Sequence, residues 1–215
     1  SAPAAPRVSS VDVRGGYPLA RGAAKRAEIQ RHKKAARTAT KPPAPVTMRS
    51  GSSDWRTPAW LAAALKEIYG PFDLDPSAAP GTSLGRRSYD RFDGGREHPW
   101  KGRVYCNPPH ARALGETVGP WMQKGLDEIA AGNCELAVFL APSRTDTVWW
   151  HELVMKRANE VLFVRGRLRF TGDGENTAGA PFPSAVIVFE TRKPGPAGPR
   201  FWTIERPQED AGAQS

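Results

Sequence analysis

The sequence has little cysteine and no long apolar run. Of its 215 residues only Cys106 and Cys134 are cysteines, and their spacing fits neither a disulfide framework nor a metal-ligand cluster. No apolar run approaches the roughly 20 residues that a membrane-spanning helix needs, and the N-terminus lacks the apolar core of a signal peptide. We therefore expect a cytoplasmic protein with no metal centre and no membrane partner, whose two thiols are buried and free.

Acidic residues are scarce in the first fifty residues. Residues 1–50 hold 11 Lys or Arg and 2 Asp or Glu, a net charge of +9. The remaining residues hold 20 basic and 20 acidic side chains, so they are neutral. A basic arm on a neutral body commonly binds a polyanion, most often nucleic acid, and the alternative is a solubility tail. Lys33 and Lys34 represent its candidate phosphate contacts.

Composition divides the chain into three parts. Residues 1–49 are rich in Pro, Ala and basic residues, and we expect a disordered or solvated helical arm. A folded domain is expected over residues 50–206, followed by a tail at 207–215.

Helical and strand patterns alternate in the folded part. Helices are predicted in AWLAAALKEIY, GPWMQKGLDEIAAG and TDTVWWHELVMKRA. Thr57 is the expected cap of the first, with Pro58 at its first position, and Thr145 or Asp146 the expected cap of the third. Strands are predicted in PFDLDP, GRVYC, CELAVFLAP, EVLFV, SAVIVFE and FWTIE, with residues 76–101 irregular. This alternation predicts an α/β fold with a doubly wound, mostly parallel sheet.

Three of these strands end in polar loops, namely DLDPSA, NPPH and APSRTDT. Ligands bind outside the carboxyl ends of strands in such sheets. If the strands are parallel, all three loops line one crevice.

The NPPH loop has a distinctive chemistry. Asn107 offers a side-chain carbonyl, and Pro108 offers a backbone carbonyl but no N–H. With Pro109 stiffening the turn, two fixed acceptors match the two hydrogens of an exocyclic amino group on a base. His110 would then stack on a base flipped out of its helix. The alternative is a rigid turn after a strand.

The chain resembles the phage-encoded N-6-adenine DNA methyltransferases, a Dam-type family. The resemblance rests on SDWRTPAWL, FDLDPSA, YDRFDG, VYCNPPH, APSRTDTVWWH, GRLRF and APFPSAVIVFE, and covers roughly residues 52–190. It implies a Rossmann-like class I methyltransferase that uses S-adenosylmethionine, acts on double-stranded DNA and works in a bacterial host cytoplasm. Two features depart from the pattern: His110 replaces an aromatic Tyr or Phe, and DLDPSAAPG replaces the usual Gly-rich loop.

The resemblance also implies roles for single residues. Thr57 and Pro58 would contact the methionine end of the cofactor. Asp73 and Asp75 would accept hydrogen bonds from the ammonium group or the ribose hydroxyls of the cofactor, unless they only cap loops. Asp93 would accept a hydrogen bond from the adenine amino group of the cofactor. The full cofactor-binding set is Trp55, Thr57, Pro58, Asp73, Asp75, Pro76, Ser77 and Asp93.

The DNA-binding candidates follow the later strands. They are Arg144, Thr145, Asp146, Trp149, Trp150, Arg165, Arg167 and Arg169. Adjacent helical residues point about 100° apart, so at most one of the two tryptophans can lie fully in the core. The other would line the base pocket or the DNA surface.

Alternatives to an adenine methyltransferase stay open at this point. The Asn-Pro-Pro geometry suits any exocyclic amine, so methylation of cytosine N4 or of RNA is possible, and His110 allows a catalytically silent DNA-binding protein. About 155 folded residues leave no room for a separate recognition domain of ordinary size. We expect a monomer with a short or relaxed recognition sequence.

Overall fold

The computed structural model describes residues 7–10, 56–79, 81–90, 93–109, 117–169, 180–192, 194–195 and 198–207. Two compact units are distinguished along the chain. The first comprises Ser1–Val11 and Ser52–Ser215, and the second comprises Asp12–Gly51. The second unit lies outside the described residues, as does most of the predicted basic arm.

One eight-stranded sheet runs through the described part of the chain. Its strands are β1 (Arg7–Ser10), β2 (Phe72–Asp75), β3 (Gly85–Ser88), β4 (Gly102–Cys106), β5 (Cys134–Pro142), β6 (Glu160–Val164), β7 (Ser184–Glu190) and β8 (Arg200–Glu205). Their spatial order is β1-β8-β6-β7-β5-β4-β2-β3. Strands β1 and β7 run against the other six. The mostly parallel sheet predicted from the alternating pattern is confirmed.

Helices cover both faces of this sheet. Helix α1 (Ala59–Tyr69) packs on one face. Helix α2 (Val118–Ala130) packs on the other, beside a π-helical segment (Trp150–Val154) that continues into α3 (Met155–Arg157). Gly132, with φ of +77°, follows α2 and acts as the predicted helix stop.

Strand β5 shows why the sheet needs cover on both sides. Ala137 and Phe139 enter the core beneath α2, whereas Val138 and Leu140 enter the core beneath α1. Successive side chains of a strand point to opposite faces, so a strand buried on both faces has to be continuously apolar. The run CELAVFLAP has that property, and the predicted bounds of β5 are confirmed.

Two strands lie where the sequence predicts none. Strand β3 (Gly-Arg-Arg-Ser) falls in the stretch expected to be irregular, and β1 falls in the arm expected to be disordered or helical. Both expectations are wrong for these residues. Each strand is at an edge, with β3 on β2 and β1 on β8. An edge offers unpaired backbone groups to any extended segment, so its pairing leaves little trace in the side-chain pattern.

Gly95 fastens the long connection between β3 and β4 to the loop after β2. A Cβ atom at Gly95 would stand 1.8 Å from the carbonyl oxygen of Pro76. The Gly95 carbonyl accepts the Trp100 indole N–H at 2.8 Å, and Trp100 is fully buried against Trp121 and Phe139. Residues 93–100 therefore pack directly on the loop that follows Asp75.

The Gly95→Ala variant should be destabilised, because the new methyl group would overlap backbone that cannot rotate away. Overpacking of this kind costs about 1–3 kcal/mol or more, which thermal or urea unfolding would measure. Gly195→Ala is the matched control, since a Cβ there meets no atom within 4 Å. Equal unfolding midpoints for the two variants would contradict the packing described above.

Candidate active site

The candidate site lies where the strand order changes direction. From β2 the chain goes first to β3 on one side and then to β4 on the other. In sheets of this kind, the crevice that binds ligands lies beyond the carboxyl ends of the strands at such a point, here β2 and β4. Strand β2 ends at Asp75, and β4 ends at Cys106, just before Asn107. Ser77 Oγ lies 3.3 Å from Cys106 Sγ. The loop after β2 therefore contacts the strand end that carries the Asn-Pro-Pro stretch.

Asp75 organises the loop after β2. Its side chain is buried, with Oδ1 accepting the Ser77 N–H at 3.3 Å and Oδ2 the Leu84 N–H at 3.1 Å. Burial raises the pKa of Asp75 to about 6, although the two backbone N–H groups oppose this rise. The carboxylate thus caps its loop, as the alternative interpretation had it. Because a carboxylate offers about four acceptor positions, it can also accept hydrogen bonds from a ligand.

Thr57 contacts β4 rather than capping α1. Its Oγ1 lies 2.6 Å from the hydroxyl oxygen of Tyr105, a fully buried side chain whose hydroxyl needs a partner. Pro58 is the N-cap, and its carbonyl accepts the N–H groups of Leu61 and Ala62 at 3.0 and 2.9 Å. The prediction that Thr57 caps the helix is wrong. Its hydroxyl instead holds the start of α1 at the carboxyl end of β4.

Asp93 belongs to a turn that is joined to the Asp75 loop. Its Oδ2 accepts the Asp90 N–H, and its own N–H donates to Asp90 Oδ1, both at 3.1 Å. Its carbonyl oxygen lies 2.7 Å from His98 Nε2, and the His98 ring stacks on Tyr89 with 4.3 Å between centroids. The Tyr89 N–H donates to the Asp75 carbonyl at 3.0 Å. Two predicted cofactor carboxylates therefore sit in one connected set of loops.

Asp73 makes different contacts. Its Oδ2 accepts the Arg103 N–H at 3.0 Å, and its Oδ1 lies 4.0 Å from a guanidinium nitrogen of Arg86. The Arg103 Nε–H donates to the Tyr69 carbonyl at 3.0 Å. Asp73 thus connects β2 to β4, and Arg103 connects β4 to the C-terminus of α1. In the part of the chain that the structure describes, Asp73 does not contact the loops around Asp75.

The Asn-Pro-Pro stretch continues directly from β4. Asn107 and Pro109 are half-buried and Pro108 is buried. Because β4 pairs with β2 on one side and β5 on the other, the stretch begins between two parallel strands. Four predicted site residues lie outside the described ranges, namely Lys33, Lys34, Trp55 and His110.

Thr147, not Thr145 or Asp146, caps the helical segment after β5. The Trp150 N–H donates to Thr147 Oγ1 at 3.4 Å, and the Thr147 hydroxyl donates to the Arg144 carbonyl at 2.7 Å. The predicted cap is wrong, because the turn at 145–146 delays the helix by one or two residues. Arg144, Thr145 and Asp146 are exposed beside the carboxyl end of β5.

The two adjacent tryptophans have different environments. Trp150 is 2% exposed and lies in the core beneath α2, whereas Trp149 is half-buried. A Cβ at Gly119 would stand 3.1 Å from the Cβ of Trp149, so this side chain leans on the start of α2. The expectation that only one of the pair enters the core is confirmed. Because Trp150 is buried, DNA cannot reach it, and Trp149 is the one of the two that DNA could contact.

Three predicted arginines follow β6. Arg165, Arg167 and Arg169 are exposed, and Arg165 is 2.9 Å from a carboxylate oxygen of Glu205. Strand β6 runs parallel to β4 and lies three strand positions away, which is about 14 Å. These arginines therefore lie at the same end of the parallel strands, the carboxyl end, as Asn107.

The sequence did not single out Tyr89, His98 or Tyr105. Each acts through a contact between segments that are distant in the chain, and no local pattern marks such a contact. The buried hydroxyl of Tyr105 was the one available signal, because a tyrosine in an apolar strand needs a hydrogen-bond partner.

Two further observations concern the described residues only. Among them, no group of three or more His, Cys, Asp or Glu side chains is arranged to hold a metal ion. Within the same ranges, no helix has both the length and the apolar character needed to cross a membrane.

Comparison with known proteins identifies the family. Curated proteins gave no match. The family model of the DNA N-6-adenine-methyltransferases (Dam), in contrast, matches residues 46–205. The match covers well over half of the chain and includes every residue of the crevice described above. This chain therefore belongs to the DNA N-6-adenine-methyltransferase (Dam) family.

Proposed function

We propose that this protein is a Rossmann-like class I methyltransferase that transfers a methyl group from S-adenosylmethionine to the N6 amino group of adenine in double-stranded DNA. One observation carries the proposal within the family match. The buried carboxylate loop of Asp75 contacts, through Ser77 and Cys106, the strand end that presents Asn107. A cofactor site and a base site thus share one crevice.

The residues of the crevice fit S-adenosylmethionine. Asp75 is a buried acceptor whose hydrogen bonds come from backbone N–H groups, so its negative charge can meet the ammonium or ribose hydroxyls of the cofactor. Thr57 and Pro58 lie at the start of α1, held at the same strand ends by Tyr105. Asp93 is an exposed carboxylate on the adjoining turn, suited to the adenine amino group. When bound, the cofactor supplies an electrophilic methyl group on a sulfonium.

Asn107 and Pro108 would hold the amino group of the target base. Two carbonyl acceptors receive its two N–H groups, which favours a pyramidal nitrogen and stabilises the positive charge that develops there. His110 would stack on the flipped base, as an aromatic ring does in the family pattern. The proton is lost to water, because an amide side chain cannot take it up at neutral pH.

The DNA would lie across the carboxyl ends of the strands, next to Arg144 and Arg165. Guanidinium groups suit phosphate oxygens, and Trp149 remains as an aromatic contact for a base. Arg167 and Arg169 follow the same strand end as Arg165. The basic arm, with Lys33 and Lys34, adds attraction that is independent of base sequence.

The experiment that tests the function is mass spectrometry of nucleosides from plasmid DNA incubated with protein and S-adenosylmethionine. We expect N6-methyladenine. N4-methylcytosine from the plasmid, or methylated nucleosides only when RNA replaces the plasmid, would show that the amine class is right and the base or polymer wrong. DNA binding without S-adenosylmethionine binding would identify a silent DNA-binding protein instead.

Asn107→Ala should abolish methyl transfer while leaving S-adenosylmethionine binding intact. Removal of one preorganised group at a developing charge costs about 10²-fold or more in rate. Single-turnover transfer measures the effect. Gln123→Ala, which removes an amide from the surface of α2, is the control and should keep its rate. A nearly full rate for Asn107→Ala would overturn the role given to this stretch.

Cofactor binding should weaken as the pH falls through about 6, because protonation removes the charge of Asp75. Below that pKa the dissociation constant should rise about tenfold for each pH unit, as calorimetry between pH 5 and 7.5 would show. Asp75→Asn should bind S-adenosylmethionine weakly at every pH, without the loss of affinity at low pH. Asp73→Asn should show that loss as the wild type does. If Asp75→Asn still lost affinity at low pH, the titrating group would be a residue other than Asp75.

Asp75 does not complicate this measurement through folding. Its folded-state pKa of about 6 lies above the ordinary value of 3.8. The folded state therefore binds the proton more tightly than the unfolded chain does, and the cost of ionisation appears as the pH rises between these two values. Acidification from pH 7 to pH 5 favours the folded state through this group.

The basic arm should govern the salt dependence of DNA binding. Each phosphate that is neutralised adds about 0.9 to the magnitude of the log–log salt slope. Exchange of the Lys and Arg residues between positions 14 and 41 for Gln should flatten the slope by about 4 if half of them engage DNA. Binding of S-adenosylmethionine, measured in parallel, should not change. An unchanged slope would exclude phosphate contact by the arm.

A further inference from the structure

His98 lies at the junction between the two loops that carry the cofactor carboxylates. Its Nε2 is 2.7 Å from the Asp93 carbonyl oxygen. Because a carbonyl only accepts, Nε2 carries the hydrogen and donates it. The face of the His98 ring stacks on the Tyr89 ring, with 4.3 Å between centroids and 15° between planes. One side chain thus holds the backbone of the Asp93 turn and rests on the segment bonded to Asp75.

Tyr89 is itself fixed on both sides by the Asp75 loop. Its N–H donates to the Asp75 carbonyl, and its own carbonyl accepts the Ala78 N–H, each at 3.0 Å. The platform beneath His98 is therefore a ring whose own backbone is bonded to the loop after Asp75. The stacked pair links the Asp93 turn to that loop.

The remaining contacts of Asp93 with described residues are local. Its side chain and N–H bond to Asp90, three residues earlier. Such reciprocal bonds close the turn, and the backbone bonds of Tyr89 and the packing of Gly95 on Pro76 anchor the chain on either side of it. The bond from His98 adds an anchor at Asp93 itself, the residue whose carboxylate is exposed.

We propose that His98 is a positioning residue for recognition of the cofactor's adenine ring. Its Nε2–H holds the Asp93 carbonyl, so that the Asp93 carboxylate accepts from the 6-amino group of the adenine. The inference rests on the proposed function, because it requires an adenosyl cofactor in this crevice. His98 itself touches neither the cofactor nor the target base.

Two substitutions separate the hydrogen bond from the stack. His98→Phe keeps an aromatic ring against Tyr89 and loses the donor. His98→Gln loses the ring and keeps an N–H donor at a similar reach. If the hydrogen bond positions Asp93, His98→Phe should weaken binding of S-adenosylhomocysteine about tenfold, and His98→Gln should stay within about threefold of the wild type. His151→Phe, at an exposed helical histidine, is the control and should bind as the wild type does.

A ligand variant shows whether the effect passes through Asp93. Calorimetry is repeated with an analogue of S-adenosylhomocysteine that carries hydrogen in place of the 6-amino group. We expect the wild type to bind the analogue more weakly than the parent, and we expect His98→Phe and the wild type to bind the analogue equally well. An equal loss with both ligands would mean that His98 only supports the fold. Equal losses for His98→Phe and His98→Gln would refute the assignment of the effect to the hydrogen bond.

The proposed function and this inference fail in different ways. A wild-type protein that binds neither ligand would refute the cofactor assignment, and the inference with it. A wild-type protein that binds parent and analogue equally would leave the cofactor assignment standing. It would refute the role of Asp93 and His98, because the amino group would then not be read.

Discussion

The crevice depends on one buried carboxylate. Asp75 ends β2, and three of its oxygens accept backbone N–H groups, from Ser77, Leu84 and Tyr89. Those three bonds shape the loop after β2, place the start of β3 and anchor the connection that returns to β4. Without them, the irregular stretch between β2 and β4 would have few fixed points. The geometry of the site is thus set from the end of a single strand.

The sheet then joins two chemically different halves. The half around Asp75 offers carboxylates and suits a cofactor that carries ammonium, amino and hydroxyl groups. The half around Asn107 offers fixed carbonyls, with arginines at the same end of the strands, and suits a base within a polyanion. The two halves meet through the pairing of β2 with β4 and the contact of Ser77 with Cys106. Transfer between two bound molecules requires this closeness, because effective concentration falls quickly with misplacement.

The elements that could be predicted from the sequence are those whose cause is local. The run CELAVFLAP is apolar throughout because both faces of β5 are buried, and Gly132 ends α2 through its own backbone. The helix caps could not be predicted in the same way. Thr57 is a good capping residue in isolation, but the buried hydroxyl of Tyr105 competes for it. Edge strand β3 depends on pairing and on Asp75, and neither leaves a periodic pattern.

Two buried acidic residues, Glu128 and Asp75, differ in how the fold stabilises their charge. Burial works against ionisation of Glu128, yet bonds from the Lys124 ammonium, the Asn133 amide and the Trp100 N–H outweigh it and lower its pKa. Glu128 thus helps to hold the scaffold.

Asp75 is buried more deeply, its bonds among the described residues come from neutral N–H groups, and its pKa rises to about 6. Keeping it ionised at pH 7 costs roughly 3 kcal/mol. A buried carboxylate maintained at that cost at the carboxyl end of a strand is typical of a functional site. In the proposed function, a ligand with cationic or hydroxyl donors would supply the compensation that the fold leaves out, so that ligand binding and ionisation of Asp75 would favour each other.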